Sequence, residues 1–265
     1  MKPVILFRES FDVDAQEVKE ELAIAKKHFS VFGCRNSIPE DSLVIGRYSV
    51  LPYYQELEMD LECKGSRLIN SYEQHDYLAD ITQYYEDIKG YTPKTFTQWA
   101  HINGGKWIVK GKTNSRKFRW NTHMFADGRE ALLKVIRTLM DDEFISEQGL
   151  IVREYEPLKK VDEGLYGLPI SKEWRCFFYK DTLLVSGFYW SSHAENFCED
   201  LPPDGKEFAE KVAAIISKKV DFFVMDVAER EDGGYIVIEL NDGQMSGLSM
   251  CDPNTLYGNL ARVVK

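Results

Sequence analysis

The sequence lacks the runs and motifs that mark several large protein classes. No apolar stretch approaches the ~18 residues a membrane-spanning helix needs. The opening Met1-Lys2-Pro3-Val4-Ile5-Leu6-Phe7-Arg8 has too short an apolar core for a secretory signal and reads better as a first buried strand. The five cysteines are scattered, odd in number and never spaced CxxC, which argues against structural zinc and against a secreted disulfide framework. A reduced, cytoplasmic chain is the expectation. Basic residues are outnumbered, 33 Lys+Arg against 43 Asp+Glu, and a net charge of −10 has the wrong sign for a nucleic-acid or anionic-membrane binder. No GxGxxG, GxxxxGK[ST] or nucleophile elbow occurs. His75, His101, His123 and His193 lack metal spacing and read as ordinary surface or core histidines. No internal repeat or low-complexity tract breaks the chain.

What is present is globular. The chain has 265 residues, 44% of them hydrophobic and 13% aromatic, enough for one large domain or a few lobes around sizeable cores. Residues 1–91 read as an α/β lobe. Strands are expected at 3–7, 42–46 and 66–70, with helices at 15–29 and 74–88; Val18, Leu22, Ala25 and Phe29 form one stripe of the first helix. Tyr91-Thr92-Pro93 then punctuates the chain. Residues 92–160 carry a strand at 106–110, a basic polar loop, a helix at 128–140 and a strand at 150–155. Residues 161–265 read as antiparallel. Strands at 173–179 and 183–190 flank Lys180-Asp181, a helix at 206–219 follows, and strands at 220–228 and 235–241 flank Glu231-Asp232-Gly233-Gly234 before a terminal helix at 254–264. The fold class is α+β in three parts.

Asp232-Gly233 between apolar strands is a strong hairpin signal. A two-residue turn there sets Asp226 directly opposite Glu239, with Asn241 further along the same face. The other face, Phe223, Met225, Val227, Ile236, Ile238 and Leu240, is entirely apolar and must be buried. Two carboxylates ~5 Å apart repel by roughly 3 kcal/mol at an effective dielectric of ~20. A shared proton, a nearby Lys or Arg, or a divalent cation would offset that. Two carboxylates and a carboxamide oxygen suit Mg²⁺ held jointly with substrate phosphates. A solvated hairpin face is the plain alternative, and a longer turn would shift the register.

Lys110 ends an apolar strand and opens a loop with Lys112, Arg116 and Lys117. Such charge suits a polyphosphate, or is simply solvated. The segment Leu150 to Leu158 is a buried strand running into a proline turn. Glu173-Trp174-Arg175 sets a carboxylate and a guanidinium on one strand face, either as a structural ion pair or aimed at a ribose and an anion. Trp120, Phe188, Tyr189 and Trp190 suit an aromatic substrate wall or core packing. Arg35, Arg47, Tyr48, Tyr53 and Tyr54 are candidates for substrate recognition.

Taken in order, Thr92-Pro93-Lys94-Thr95, the strand ending in Lys110, Ile151-Val152-Arg153-Glu154-Tyr155, Glu173-Trp174-Arg175, Asp226 and Glu239-Leu240-Asn241 resemble the ATP-grasp superfamily of carboxylate–amine ligases. The likeness spans residues 92–249, and residues 1–91 fit the lobe that usually precedes it. The short length and the basic, glycine-poor loop look most similar to the arginine-plus-two-lysine clade of phages and bacteria. The resemblance implies an ATP-grasp fold with ATP held between antiparallel sheets. It implies Lys110, Lys112 and Lys117 at the ATP phosphates, Glu154 and the backbone of Tyr155 at the adenine edge, Leu158 lining that pocket, and Glu173 on the ribose. Arg175 and Lys110 would be catalytic, and Asp226, Glu239 and Asn241 would hold Mg²⁺. The segment Asp242-Gly243-Gln244-Met245-Ser246-Gly247 matches the position of the family's substrate-side loop. The implied reaction joins a small-molecule or peptide carboxylate to an amine through an acyl-phosphate, releasing ADP and phosphate. A small-molecule kinase and a non-catalytic nucleotide-binding interaction module are the alternatives. The chain departs from the family where Thr113-Asn114-Ser115-Arg116-Lys117 replaces a glycine-rich phosphate loop and Asp80-Ile81 replaces Asp-Lys. Tyr189-Trp190 also stands where a second basic residue often follows.

Overall fold

Val4, Ile5, Leu6 and Phe7 are all buried, a run too continuous for a strand with one wet face and suited to a parallel sheet covered on both sides. That is what a computed structural model of the chain contains; it describes residues 1–8, 15–48, 53–195 and 197–264. Strands β1 (Lys2–Phe7), β2 (Ser30–Phe32), β3 (Ser42–Arg47) and β4 (Arg67–Leu68) form a parallel sheet in the order β2-β1-β3-β4. Ile5, Phe7 and Ile45 pack under α1 (Ala15–His28), through Ala25 and the adjoining Phe29. Val4, Leu6 and Val44 pack under α2 (Tyr54–Glu62) through Leu57 and Leu61. The short β2 and the polar α2 leave no strong periodicity and are not expected from sequence.

Two helices stand where one is expected at 74–88. α3 (Tyr72–Ala79) ends because Asp80 leaves helical geometry at φ −97°, ψ 108°, and the Asp80 carboxylate accepts from the Thr82 N–H at 2.8 Å to start α4 (Ile81–Ile88). Both pack on the C-terminal sheet through Leu78, Ile81, Tyr84 and Ile88.

The middle of the chain supplies β5 (Thr95–Phe96), β6 (Lys106–Gly111), α5 (Trp120–His123), β7 (Phe125–Asp127), α6 (Gly128–Met140), α7 (Glu143–Ser146) and β8 (Leu150–Glu154). The strands form an antiparallel sheet, β5-β8-β6-β7. Val109, Leu150 and Val152 meet Leu132, Val135, Ile136 and Leu139 of α6 on one face. Period-two alternation leaves Ile108, Lys110, Ile151 and Arg153 for the other.

The rest comprises the hairpin β9 (Lys160–Glu163) and β10 (Pro169–Ser171), then β11 (Glu173–Tyr179), β12 (Thr182–Phe188), α8 (Pro203–Ile216), β13 (Phe222–Glu229), β14 (Tyr235–Asp242) and α9 (Pro253–Val263). The four long strands form an antiparallel sheet, β12-β11-β13-β14. One face buries Trp174, Cys176, Phe178, Phe223, Met225 and Val227 against α3, α4 and α8. The opposite face is divided. Its far half, with Phe177, Phe222 and Val224, packs on α9 and the parallel sheet. Its near half carries Glu173, Arg175, Asp226 and Glu239. Among the described residues no helix is long and apolar enough to cross a membrane, and the five cysteines are free.

The last hairpin does not turn in two residues. The Arg230 N–H donates to the Gly234 carbonyl at 2.7 Å and the Gly233 N–H to the Arg230 carbonyl at 3.0 Å. They enclose a three-residue loop with Gly233 at φ 89°. That shifts the ladder by one, so Glu229 faces Tyr235 and Val227 faces Val237. A bulge at Ile238 then restores the count, and Asp226 does oppose Glu239. The faces change with it. Val237, rather than Ile236 or Ile238, joins Val227 and Leu240 in the cluster under α3, α4 and α8, and Ile238 turns to the cavity described next.

Candidate active site

The middle sheet and the near half of the C-terminal sheet face each other across a cavity of about 230 Å³. From one wall Lys110 enters, because alternation along β6 sends Val109 to the core and Ile108 and Lys110 to the cavity. Its ammonium donates to the Glu239 carboxylate in close contact. On the other wall the Arg175 fork clasps Asp226, Nε to Oδ1 at 3.0 Å and Nη2 to Oδ2 at 2.9 Å, while Nη1 donates to the Gly247 carbonyl at 2.9 Å. Each opposed carboxylate therefore has its own cation. Of the three ways to offset their repulsion, the fold supplies basic side chains.

The electrostatics follow from this pairing. Burial pushes the Glu239 carboxyl up, but Lys110, with Arg153 and Lys117 behind it, outweighs burial and holds its pKa below the ordinary value. Burial likewise opposes the charge on Arg175, and Asp226 outweighs it, so the Arg175 pKa lies above the usual range. For Glu173 the nearby cations, Lys117 and Arg175, are outweighed. Burial first, and the Asp226 charge second, push it up to about 8.

Lys117 comes from the basic loop and donates to the Tyr189 hydroxyl. Its ammonium lies 4.6 Å from the Tyr189 ring centre and 5.2 Å from that of Trp190. Trp120, Tyr189 and Trp190 line the cavity, so three of the four candidate aromatics form a wall. Phe188 does not; it is core, packed with Leu168 and Ile170. The Trp190 indole N–H is buried without a partner among the described residues, a donor that a bound ligand could satisfy.

Glu154, Tyr155 and Leu158 also line the cavity. The amides of the first two are engaged, Glu154 N–H with the Lys94 carbonyl at 2.8 Å and Tyr155 N–H with the Lys106 carbonyl at 2.9 Å. The Tyr155 amide therefore offers no free donor to a base. Three expectations fall outside the cavity wall. Lys112 turns to Asp80 at 3.3 Å. Asn241 shares the face of Glu239 but stands opposite Val224, nearer the parallel sheet. Arg175 reaches the wall only through Asp226.

Most of the segment 242–247, the expected substrate-side loop, is buried where the parallel sheet meets the C-terminal sheet. Asp242 accepts from Asn70 Nδ2 at 2.9 Å, the Gln244 N–H at 2.9 Å and the Tyr54 hydroxyl at 3.3 Å, and His75 Nδ1 lies 3.2 Å away, which makes His75 a core histidine. Arg47 is fully buried, bonded to Glu21 at 2.9 Å and to the Gly243 carbonyl at 2.5 Å. Arg47 and Tyr54 thus hold the fold together and are not open to a substrate. Arg35 pairs with Asp60 at 3.0 Å, and Tyr48 donates to Glu21. Tyr53 is exposed.

Sequence reasoning singled out no role for Arg153, which lines the cavity and is buried. The clue was available: an arginine ending the apolar run Leu150-Ile151-Val152 must be paired or purposeful.

The molecule is similar to several solved structures. D-cycloserine synthetase DcsG is 12% identical with a TM-score of 0.66, covering 99% of this chain and 100% of that one. ATP-grasp ligase PsnB, complexed with a phosphomimetic variant of minimal precursor, Mg and ADP, is 14% identical with a TM-score of 0.57, covering 100% of this chain and 99% of that one. D-alanine–D-alanine ligase from Bacillus anthracis, complexed with ATP, is 12% identical with a TM-score of 0.57, covering 92% of this chain and 86% of that one. These likenesses show the ATP-grasp fold. No match was found among curated proteins. The family model described as "ATP-grasp domain, R2K clade family 3" matches residues 99–260, more than half of the chain, and the chain belongs to that family.

Proposed function

We propose that this protein is an ATP-dependent carboxylate–amine ligase whose cavity between the middle and C-terminal sheets takes ATP. One observation carries the reading: Lys110 and Lys117 converge on the same cavity as the opposed carboxylates Asp226 and Glu239. Two lysines suit the phosphates, and paired carboxylates suit a hard cation. Mg²⁺ needs only one or two protein carboxylates and completes its shell with phosphate oxygens and water. Asp226 and Glu239 fit that demand, with the Asn241 carboxamide next on the same face. Such an ion, when bound, neutralises charge on the transferring phosphoryl group. The solved neighbours lend support, since PsnB is complexed with Mg and ADP and D-alanine–D-alanine ligase with ATP.

The protein's own groups then act by position and charge. Lys110, once Glu239 has other ligands, turns to phosphate. Lys117, held over the aromatic wall, adds charge at the loop that lacks glycines. Glu173 meets the ribose, and Glu154, Tyr155 and Leu158 frame the adenine. Arg175 holds Asp226 in place and adds positive charge behind it. A carboxylate oxygen of the substrate attacks the γ-phosphorus as the bond to ADP breaks. The amine nitrogen then attacks the acyl carbon, phosphate leaves, and the amine proton passes to solvent. Residues 92–160 and 161–265 form the two walls in this scheme.

Glu239→Gln keeps size and a hydrogen-bond acceptor for Lys110 but removes the charge. It should lower substrate-dependent ADP release by at least ~10²-fold, with a circular dichroism spectrum that stays that of the folded protein. Unaltered ADP release would overturn the assignment. Product mass completes the test: an amide supports ligation, whereas a phosphorylated acceptor with no amide points to a kinase.

A further inference from the structure

Arg153 is a buried charge that the scheme above leaves without work. It is 5% exposed, and among the described residues no carboxylate lies within ion-pair distance of it. Its guanidinium donates to three neutral oxygens instead: the Ile238 carbonyl at 2.7 Å, Thr92 Oγ1 at 2.7 Å and Thr95 Oγ1 at 3.3 Å. Thr92 Oγ1 in turn donates to the Val237 carbonyl at 2.9 Å, and the Val237 N–H donates to the Tyr91 carbonyl at 2.7 Å. Three of these bonds end on Val237 or Ile238, the residues at the bulge of β14. Burying a guanidinium is costly, and neutral acceptors compensate it less well than a carboxylate does.

The bulge decides where Glu239 goes. A ladder running from the turn without it would leave Glu239 one residue out of register and on the apolar face. We propose that Arg153, with Thr92, is a positioning residue: the pair clamps the β14 bulge so that Glu239 projects into the cavity opposite Asp226 as a cation ligand. This rests on the reading of Asp226 and Glu239 as the Mg²⁺ site.

The two ways Arg153 can act have opposite signs. As a mere positive charge near the site it would repel a cation, and its removal would strengthen Mg²⁺ binding. As a clamp, its removal weakens that binding. Calorimetric titration of ADP, with Mg²⁺ and with a chelator, reads the difference. Arg153→Met should lower the Mg²⁺ enhancement, the ratio of ADP affinities with and without the ion, by ~10–100-fold. Arg153→Lys, with a donor left for Ile238, should recover part of it. Thr92→Val should lose a smaller part, and it decides the matter if Arg153→Met does not fold. An enhancement equal to or above wild type, or equal losses with and without Mg²⁺, overturns the clamp. Glu239→Gln separates the two claims. If it keeps the wild-type enhancement, the Mg²⁺ site itself fails; if it loses the enhancement while Arg153→Met keeps it, only the clamp fails.

Discussion

Glu173 shows how much of a side chain's chemistry depends on neighbours remote in sequence. In the strand it is two residues from Arg175, and a local ion pair is the natural expectation. In the fold Arg175 is turned to Asp226, and Glu173 is left buried beside that carboxylate. Its folded pKa of about 8 lies above the ordinary 4.5, so between these values the native state holds a proton that the unfolded chain has lost. Stability from this group is complete below about 4.5 and falls as pH rises toward about 8. The melting temperature of the wild type should therefore decline across that window more steeply than that of Glu173→Gln. Parallel profiles for the two proteins would refute the raised pKa. Lys112 teaches the same lesson. Its charge was legible, its partner was not, because Asp80 comes from 32 residues upstream.

At the scale of elements, periodicity located most of the long strands and helices, and it missed short ones such as β2 and β5, whose stability comes from neighbours rather than pattern. The last hairpin is instructive because the expected partnership of Asp226 and Glu239 holds for a different reason. The turn is one residue longer and the bulge compensates. A bulge leaves little trace in alternating apolar residues, since Ile236, Val237 and Ile238 are interchangeable in such a pattern. Close approach between elements is equally silent. A Cβ on Gly187 would fall well inside contact with the Met250 carbonyl and the Cys251 nitrogen, all backbone that cannot swing aside. Gly187→Ala should destabilise by about 1–3 kcal/mol or more, read as a lower urea midpoint. No change in midpoint would mean that the segment after β14 packs elsewhere.

For the whole molecule, the joint between the parallel sheet and the C-terminal sheet is polar and buried. Arg47 at the end of β3 holds Glu21 of α1 and the Gly243 carbonyl, and Tyr257 of α9 also bonds Glu21. Arg47→Met would leave Glu21 buried without its cation, which costs about 3–5 kcal/mol. Replacing both, Arg47→Met with Glu21→Gln, should recover part of that loss, measured by urea unfolding. If the double variant is no more stable than the single, the two residues are not a pair. The packing also ignores chain order. α3 and α4 precede the middle sheet yet sit on the C-terminal one, and α9 closes the chain against α1.

Composition, spacing and alternation were enough to read an acidic α+β chain, its long strands and the final hairpin that carries Asp226 and Glu239, because these depend on residues near one another in the chain. The identity of each charge's partner, the separation of Lys112 from the cavity, the burial of Arg47 and Tyr54, and the bulge held by Arg153 depend on contacts between elements tens to hundreds of residues apart. Apolar pattern says that a face is covered, but not by what, and a charged side chain takes its meaning from the group that packing brings within about 3 Å of it.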